Sequence, residues 1–283
     1  ASQVLAREWL RIAPPLPWVL HSGYTDAIAV ESEAVRSYCA SEGLPINKLV
    51  VTGSVAHDVL AEALKQAHQR RSDLCDKLKL PCDRPMILSA LPPDSLYMTG
   101  GRPECEFQKY DELVEFWVRS LTAIKGHNIV LCLHPSVSYE EMRYIEEWGV
   151  RIARESTVRL IPLCDIFVAA ISATIQWAIA CAKPVINYDV YRYGYQDYAS
   201  ATGVIRVDGK EEFLAVLQRI TEDRAYYDEL VGHQVACAGQ WGQLDGRAGQ
   251  RLLQLFDRLV DENMHTGGPR CKLEQTAESA QDS

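Results

Sequence analysis

The stretch from Asp165 to Asp189 limits the fold more than any other part of the sequence. It opens with a continuous apolar run of strand length that ends at Ile171. A segment of helical composition follows, and Lys183-Pro184 predicts the end of that helix, because proline cannot continue it. The apolar residues after Pro184 predict a second buried strand. A strand, a helix and a second strand in this order are the repeating unit of a parallel α/β sheet.

The turn between the first of these strands and the helix carries two hydroxyl side chains, Ser172 and Thr174. A helix that begins directly after a strand presents unpaired backbone N–H groups, and the positive end of its dipole, at the carboxyl edge of the sheet. Such an edge suits a phosphate group. We therefore predict that Ser172 and Thr174 contact the phosphates of a ligand. The alternative for Ser172 is a simple N-cap, which would also place a serine here.

The rest of the chain alternates strands and helices in the same way from Met86 to Val207, with further helices after it. This alternation predicts an α/β fold with a Rossmann-like parallel sheet and helices on both faces. The ligand crevice of such a sheet lies beyond the carboxyl ends of its strands. A capping-box pattern of Ser138 and Glu141 opens one of the predicted helices. Three of these helices are predicted over Val55–Gln69, Glu104–Lys125 and Ser138–Trp148.

Composition and charge narrow the possible functions. The chain has 283 residues, 47% of them hydrophobic and 24% charged, which is ordinary for a globular protein with a substantial core. Its net charge of −9 argues against sequence-independent binding of nucleic acid, which needs a basic surface. No apolar run approaches the roughly 20 residues that span a bilayer.

The cysteines indicate a reducing compartment. There are nine of them, without a C-x-x-C pair, and several lie in apolar runs, which predicts reduced and buried thiols. A zinc site that uses Cys75 and Cys82 would lack a second pair of ligands at usable spacing, so no metal site is predicted.

The central stretch also resembles a known site. Its pattern is that of the nucleotide-sugar site of GT-B glycosyltransferases, in particular those that make capsular and other surface polysaccharides. The matching positions are Ser172, Thr174, Ala178, Lys183, Pro184, Val185 and Ile186. Non-hydrolysing nucleotide-sugar 2-epimerases share this scaffold. Trp177 stands where many members have a glutamate that holds the nucleotide ribose, so this helix lacks that carboxylate.

Two further segments carry the resemblance. Residues 1–69 resemble the end of a GT-B amino-terminal domain with its crossover, through Asp26, Ser32, Gly43, Pro45, Gly53 and Asp58. A second segment, within residues 241–251, resembles one near the end of capsule-type transferases. In those proteins the segment starts the last helix and packs it across the domain junction. Its positions are Trp241, Gly242, Asp245, Gly246, Ala248 and Arg251. The resemblance implies that Asp58 fixes the crossover and has no catalytic role.

The resemblance implies a division into two parts and a tail. Residues 1–69, which begin with a helix broken by prolines, are expected to be a remnant of the amino-terminal domain. Residues 70–264 are expected to form the nucleotide-sugar-binding domain, which is the GT-B carboxyl-terminal domain. Residues 265–283 are polar and are expected to form a disordered tail. A full amino-terminal domain needs several more strands, so we expect the chain to be a fragment that lacks most of the acceptor-side domain.

Two predicted site residues belong to the first strands of the second domain. His134 directly follows a predicted strand, and its pairing with Pro135 resembles a motif of sialyl- and Kdo-transferase-like members, in which the histidine contacts the phosphate or nucleotide of the donor. An imidazole there would stabilise the charge on the leaving group, which makes His134 the predicted catalytic residue. The alternative is a loop histidine that bonds to backbone groups. Ser89 precedes a loop that closes around the donor in relatives, so the resemblance implies donor contact by Ser89.

A tyrosine-rich segment follows the last strand of the central stretch, from Tyr188 to Tyr195. Its rings offer stacking faces for a base or a sugar, which makes Tyr188 a predicted donor contact. Asp189 is predicted to bind a sugar or ribose hydroxyl in place of the carboxylate that Trp177 lacks, and Arg192 to neutralise a phosphate. The alternative is a surface loop that packs on the last helices.

These features predict a metal-independent glycosyltransferase without a resident cofactor, whose substrate is a nucleotide sugar. The expected acceptor is a polysaccharide or glycolipid, and the expected location is the cytoplasm or the inner face of the membrane. A nucleotide-sugar 2-epimerase is an alternative. Ser172 and Gln176 match its D-S-G-G-x-Q-E-E segment, but both glutamates and the basic loop of that family are absent. A non-catalytic domain that binds a sugar, a nucleotide or a partner is a third.

Overall fold

A computed structural model describes residues 25–96, 105–194 and 198–266 of the chain. The broken helix predicted in residues 1–23 lies outside these ranges, as does most of the predicted tail. Residues 265 and 266 of that tail are helical, because the last helix extends to Thr266.

The described residues alternate strands and helices. The strands are β1 (Ile28–Val30), β2 (Leu49–Val51), β3 (Met86–Ala90), β4 (Asn128–Cys132), β5 (Arg151–Ala153), β6 (Ile166–Ala169), β7 (Val185–Tyr188) and β8 (Val204–Val207). The α-helices are α1 (Glu33–Ser41), α2 (Val55–Lys65), α3 (Ala67–Leu78), α4 (Tyr110–Ala123), α5 (Tyr139–Met142), α6 (Thr157–Leu160), α7 (Thr174–Ala180), α8 (Lys210–Glu222), α9 (Arg224–Trp241) and α10 (Ala248–Thr266). Short 3₁₀ helices span Ile46–Lys48, Arg143–Trp148 and Ile161–Leu163.

Six strands form one parallel sheet in the order β5-β4-β3-β6-β7-β8. The chain therefore adds strands in one direction from β3 to β5 and in the other direction from β6 to β8. The direction reverses between the neighbouring strands β3 and β6. In open parallel sheets the carboxyl ends at such a reversal form the crevice where ligands bind.

Helices cover both faces of this sheet, because successive residues of its central strands point to opposite sides. On β3, Ile87 belongs to the same apolar cluster as Trp117 of α4 and Phe213 of α8. Its neighbour Leu88 belongs to the other cluster, with Leu60 of α2. The predicted α/β fold with a Rossmann-like parallel sheet is therefore confirmed.

Strands β1 and β2 form a separate two-stranded parallel sheet with α1 and a small apolar core of their own. The crossover that follows is joined to the start of α10. The carboxylate of Asp58 accepts hydrogen bonds of 2.8 Å from the backbone N–H groups of both Ala248 and Gly249. Nε of Arg251 donates to the backbone oxygen of Thr52 at 2.8 Å. Asp58 therefore fixes the crossover, as predicted, by capping the last helix.

The predicted helix Val55–Gln69 is two helices, because the helical path breaks at Gln66. Leu60 of α2 and Leu74 of α3 belong to the same apolar cluster. In one straight helix the positions from 60 to 74 would span about 21 Å. The break lets both leucines pack under the same part of the sheet. The predicted boundary between residues 69 and 70 falls inside α3, and the division into domains stays a prediction.

The predicted helix Glu104–Lys125 begins later, at the first residue of α4. The residues before it are not helical, because Cys105 and Phe107 are buried in the apolar cluster on that face of the sheet. Sγ of Cys105 lies 3.3 Å from the backbone oxygen of Val190, which joins this segment to the loop after β7.

The third predicted helix begins with the predicted capping box. Oγ of Ser138 accepts the N–H of Glu141, and the carboxylate of Glu141 accepts the N–H of Ser138, both at 3.2 Å. Only α5 is α-helical, and the rest is the 3₁₀ helix Arg143–Trp148. Within that helix the carboxylate of Glu146 accepts the backbone N–H of Ile152 at 3.0 Å. This contact satisfies an N–H group of the edge strand β5.

Among the helices that the structure describes, none combines the length and apolar character needed to cross a membrane.

Candidate functional site

The carboxyl ends of β3, β4, β6 and β7 meet at one edge of the large sheet. The turn with Ser172 and Thr174 follows β6, at the reversal of strand order, and His134 follows β4 on the other side of β3. We treat this edge as the candidate functional site. It contains the predicted residues that are not buried in the core.

The turn after β6 has an unusual backbone. Ile171 adopts a φ of +44°, in the left-handed region that β-branched residues rarely occupy. Its backbone N–H donates a hydrogen bond of 3.0 Å to Oδ1 of Asn187, a buried residue of the neighbouring strand β7. The hydroxyl of Tyr198 donates to the backbone oxygen of Ser172 at 3.0 Å. Backbone outliers that are held by their surroundings in this way cluster at functional sites.

The two hydroxyls of the turn are coupled to each other. Oγ of Ser172 lies 2.8 Å from Oγ1 of Thr174 and accepts the backbone N–H of Thr174 at 3.3 Å. Because Oγ of Ser172 accepts the N–H of Thr174, the first residue of α7, the N-cap alternative for Ser172 agrees with this turn, although Ala173 directly precedes the helix. Both hydroxyl side chains are half-buried. The predicted phosphate contact of this turn stays a prediction.

Backbone donors accompany these hydroxyls. Within the described part of the chain, the N–H groups of Ser172 and Ala173 have no hydrogen-bond partner. Successive N–H groups of this kind, in a turn that contains a left-handed residue, are suited to an anion. Helix α7 has only seven residues, so these local donors contribute more here than a helix dipole does.

His134 is exposed at the end of β4 and is oriented by its own loop. Its Nδ1 accepts the backbone N–H of Ser136 at 3.2 Å and lies 2.7 Å from Oγ of the same residue. Because a backbone N–H can only donate, Nδ1 acts as an acceptor and the neutral ring carries its proton on Nε2. The neutral ring therefore has an N–H donor at Nε2 that is free of these loop contacts.

Two predicted donor contacts lie in the core instead. Ser89 is fully buried, and its Oγ accepts the indole N–H of Trp117 at 2.8 Å. Tyr188 is also fully buried, and its ring stacks on Phe213 with the centroids 4.9 Å apart. Its hydroxyl donates to Glu106 at 3.3 Å. Both side chains point into the aromatic layer between the sheet and α4 or α8, so both have packing roles in place of the predicted ligand contacts.

The carboxylate of Asp189 likewise bonds to groups of the protein itself. It is 1% exposed, and its carboxylate accepts the N–H groups of Tyr193 at 3.0 Å and Gly194 at 2.7 Å. Nη2 of Arg206 lies 3.6 Å from the same carboxylate. These contacts fix the shape of the loop after β7, and they replace the predicted role of Asp189 in binding a sugar or ribose hydroxyl.

Arg192 lies at the rim of this loop. It has a φ of +57°, and its Nη2 lies 3.7 Å from the carboxylate of Glu106. Tyr191 is buried, and its hydroxyl donates to the backbone oxygen of Pro93. Of the tyrosine-rich segment, the described members Tyr188, Tyr191 and Tyr193 are all buried, as the packing alternative expects, and Tyr195 lies outside the described residues.

The structure adds a residue that the sequence did not indicate. Glu31, directly after β1, accepts a hydrogen bond of 2.8 Å from Nε2 of Gln176 in the first turn of α7. Burial raises the pKa of the Glu31 carboxyl, and the hydrogen bond from Gln176 opposes that shift. The position of Glu31 directly after a strand is a weak sequence signal for a site residue. No sequence pattern indicates its contact with a helix residue 145 positions later.

A cavity of about 190 Å³ lies at the opposite, amino-terminal edge of the sheet, where its lining includes His127, Asp165 and Tyr227. The carboxylate of Asp165 is already paired with Arg71 at 2.9 Å and accepts the N–H of Met86 at 2.7 Å. Burial raises the pKa of Tyr227 to about 12, so its hydroxyl is neutral. This cavity therefore lies away from the candidate site, and its acidic group is occupied.

The described cysteines are all free thiols. Burial raises the pKa values of Cys132, Cys164 and Cys181 to about 12, which makes these thiols unreactive. Among the residues that the structure describes, no group of three or more His, Cys, Asp or Glu side chains is arranged to hold a metal ion.

Comparison with solved structures identifies the fold as GT-B. The wall teichoic acid polymerase TagF superposes with a TM-score of 0.58 and 13% identity over 86% of this chain and 60% of its own. The UDP-GlcNAc 2-epimerase of Neisseria meningitidis, solved with UDP-GlcNAc, gives 0.55 and 16% over 90% and 72%. MnaA of S. aureus, solved with UDP, gives 0.57 and 18% over 86% and 63%.

This chain thus has a fold similar to part of these solved structures, and it spans about 60% of the length of TagF. No protein-family model matches the sequence, and no curated protein matches it either.

Proposed function

We propose that this chain binds a nucleotide sugar at the carboxyl edge of its large sheet. The observation that carries the proposal is the turn from Ile171 to Thr174, with its left-handed residue, its coupled hydroxyls and its two unpaired N–H groups at the reversal of strand order. Solved structures with the same fold support it, since one contains UDP-GlcNAc and another contains UDP.

We propose further that the reaction is glycosyl transfer to a polysaccharide or glycolipid acceptor. An acceptor hydroxyl would attack the anomeric carbon, its proton would pass to a base, and the bond from that carbon to the phosphate oxygen would break with its electrons on the phosphate. The N–H groups of the turn, Ser172 and Thr174 would hold the phosphates. The Nε2–H of His134 would donate to the departing oxygen, where an added donor stabilises developing charge. Arg192 would supply positive charge from the rim.

This reaction needs no resident cofactor, because the nucleotide sugar itself carries the activated group. We propose that it is metal-independent, since protein donors offset the charge of the phosphates. We also propose that an amino-terminal domain supplies the acceptor side. Free thiols at the described cysteines support the cytoplasm as its location, at the inner face of the membrane if the acceptor is lipid-linked.

A nucleotide-sugar 2-epimerase is the second candidate. It is favoured by the likeness in fold to the N. meningitidis epimerase and by the shared positions Ser172 and Gln176. Trp177 and Ala178, which replace both glutamates of the epimerase segment, favour transfer instead.

Calorimetric titration with UDP-, CDP-, GDP- and CMP-sugars tests the proposal. A double variant, Ser172→Ala with Thr174→Val, is expected to weaken binding of the recognised nucleotide sugar about tenfold or more, because it removes two hydroxyl donors to phosphate. A matched control, Ser120→Ala with Thr221→Val, removes hydroxyls that bond only to their own helices and should bind normally.

Two outcomes decide between the alternatives. Absence of binding by the wild-type chain to all four classes would refute the proposal and favour a non-catalytic role that uses another ligand. Conversion of the bound donor to its 2-epimer without an acceptor would favour the epimerase.

A further inference from the structure

A carboxylate and an amide meet where the small sheet contacts the large one. Glu31 lies at the carboxyl end of β1, and Gln176 lies in the first turn of α7, two positions after Thr174. Their side chains are joined by the 2.8 Å hydrogen bond from Nε2 of Gln176 to Oε1 of Glu31. Both residues are half-buried. The junction of two structural units is a preferred place for a ligand.

This hydrogen bond orients both side chains but uses only one polar atom of each. Oε2 of Glu31 and Oε1 of Gln176 have no hydrogen-bond partner among the residues that the structure describes. Both atoms are acceptors, and the second N–H of the amide is a donor. Two neighbouring hydroxyls of a sugar ring offer two donors and further acceptors. The pair is therefore chemically complementary to a vicinal diol.

A purely structural role explains the carboxylate poorly. Among the described residues, Glu31 has no ion-pair partner, and burial penalises its charged form. Glutamine at this position would keep an acceptor oxygen for Gln176 without that penalty. A desolvated carboxyl held without a counter-charge beside a ligand edge is typical of a functional residue.

We propose that Glu31 and Gln176 together bind a vicinal diol of the nucleotide sugar, and that Glu31 is a specificity-determining residue of this site. The inference rests on the proposed function. The diol belongs either to the ribose or to the transferred sugar. The carboxylate of Asp189, which was predicted for this role, already accepts hydrogen bonds from two backbone N–H groups. Trp177 has no carboxylate.

The test uses dissociation constants from calorimetry on the full chain and on the variants Glu31→Gln and Gln176→Leu. The probes are UDP and 2′-deoxy-UDP, CDP and 2′-deoxy-CDP, and UDP-GlcNAc. If the diol is that of ribose, both variants weaken binding of the ribonucleotide about tenfold and weaken binding of the 2′-deoxy form clearly less, because that form has already lost one of the two hydroxyls. If it is that of the sugar, UDP binds as before and UDP-GlcNAc binds about tenfold more weakly.

A matched control and a stability measurement separate this role from a structural one. Glu33→Gln removes an exposed carboxylate that pairs only with Arg36, and it should change no affinity. The melting temperature of Glu31→Gln should not fall, because the variant keeps the acceptor and loses a desolvated charge.

Three results would overturn the inference. Unchanged affinity of both variants for every probe would do so while the proposed function stands. A lower melting temperature of Glu31→Gln with equal loss for UDP and 2′-deoxy-UDP would show a structural role. If the wild-type chain binds no nucleotide or nucleotide sugar at all, the proposed function fails and this inference fails with it.

Discussion

The backbone N–H of Ile171 is bonded to the side-chain oxygen of Asn187 at 3.0 Å, so the strained turn after β6 is held by the strand beside it. Asn187 is 3% exposed, and water cannot readily replace its side chain as the acceptor. A left-handed β-branched residue costs about 1 to 3 kcal/mol and persists only where its surroundings determine it. The shape of the candidate phosphate site thus depends on a residue that need not touch the ligand.

Replacement of this acceptor should affect both stability and binding. Asn187→Ala removes the acceptor of the N–H of the half-buried Ile171, so the free energy of unfolding in urea should fall by about 0.5 to 1.5 kcal/mol. Nucleotide-sugar affinity should also fall, because the turn can relax. Asn128→Ala is the control, since it removes a buried amide that bonds to Pro81 at the opposite edge of the sheet. Equal loss of affinity in both variants would contradict the special role of Asn187.

Strands, their parallel arrangement and the position of the turn after β6 could be predicted from the sequence, because apolar runs of strand length and a proline after a helix are local signals. The breaks in helices that tertiary packing imposes could not be predicted from the sequence. Gln66 is neither glycine nor proline, and the break there lets Leu60 and Leu74 share one apolar cluster. Periodicity within one helix does not contain that information.

Stability should decrease as the pH falls below about 6.5, because of His57. Burial lowers the pKa of this fully buried histidine below its usual 6.5, with Asp58 raising it and Arg251 lowering it further. The native state therefore excludes a proton that the unfolded chain accepts. Below pH 6.5 the free energy of unfolding should fall by up to about 1.4 kcal/mol per pH unit, until the pH reaches the lowered pKa of the native state.

Urea unfolding between pH 7.5 and 5 checks this dependence. His57→Asn should have a flatter pH profile than the wild type, and His68→Asn, at an exposed position, should match the wild type. The raised pKa of Glu31 acts in the opposite direction, because the native state then binds a proton more readily than the unfolded chain as the pH falls. A profile that stays as steep in His57→Asn would refute the assignment.

The bond from Asp58 to the start of α10 should stabilise the whole chain. Asp58→Ala removes the acceptor for two backbone N–H groups of a 19-residue helix. Loss of such a cap costs about 0.5 to 2 kcal/mol, measured as a lower urea midpoint with an unchanged slope. Asp257→Ala, at an exposed position of the same helix, is the control and should shift the midpoint little. Equal shifts in both variants would argue against the cap.

The candidate site was only partly readable from the sequence, because residue type and strand position do not determine which way a side chain points. Ser172, Thr174 and His134 lie at the open edge of the sheet. Ser89 and Tyr188 follow the same sequence logic but face the aromatic layer under α4 and α8. The partner of Gln176 is in a separate sheet, and no local pattern reveals a contact over such a distance.

If the proposed reaction is correct, His134 should matter more for turnover than for donor binding. Its Nε2–H would act on charge that appears only as the leaving group departs. His134→Gln is therefore expected to lower kcat about 100-fold or more, with little change in the Kd of the donor. His127→Gln, at a half-buried histidine of the opposite edge, is the control. A loss confined to Kd would assign His134 to binding alone.

Two glycines should respond to alanine in opposite ways. A Cβ at Gly203 would overlap Cγ of Gln234 and would lie 2.8 Å from the backbone oxygen of Leu230. Gln234 cannot move aside freely, because it is fully buried and its Nε2 donates to the oxygen of Lys183 at 2.7 Å. Gly203→Ala should therefore destabilise the chain by about 1 to 3 kcal/mol. A Cβ at Gly239, inside α9, would meet no heavy atom within 4 Å.

Gly239→Ala should thus stabilise the chain by about 0.5 to 1 kcal/mol, since alanine favours a helix interior over glycine. Urea unfolding of both variants at one pH gives the two shifts on a common scale. The close approach of Gly203 brings the start of β8 against α9, so a neutral Gly203→Ala would mean that strand and helix are farther apart in solution. A destabilising Gly239→Ala would mean that another part of the protein packs against the side of α9 that contains Gly239.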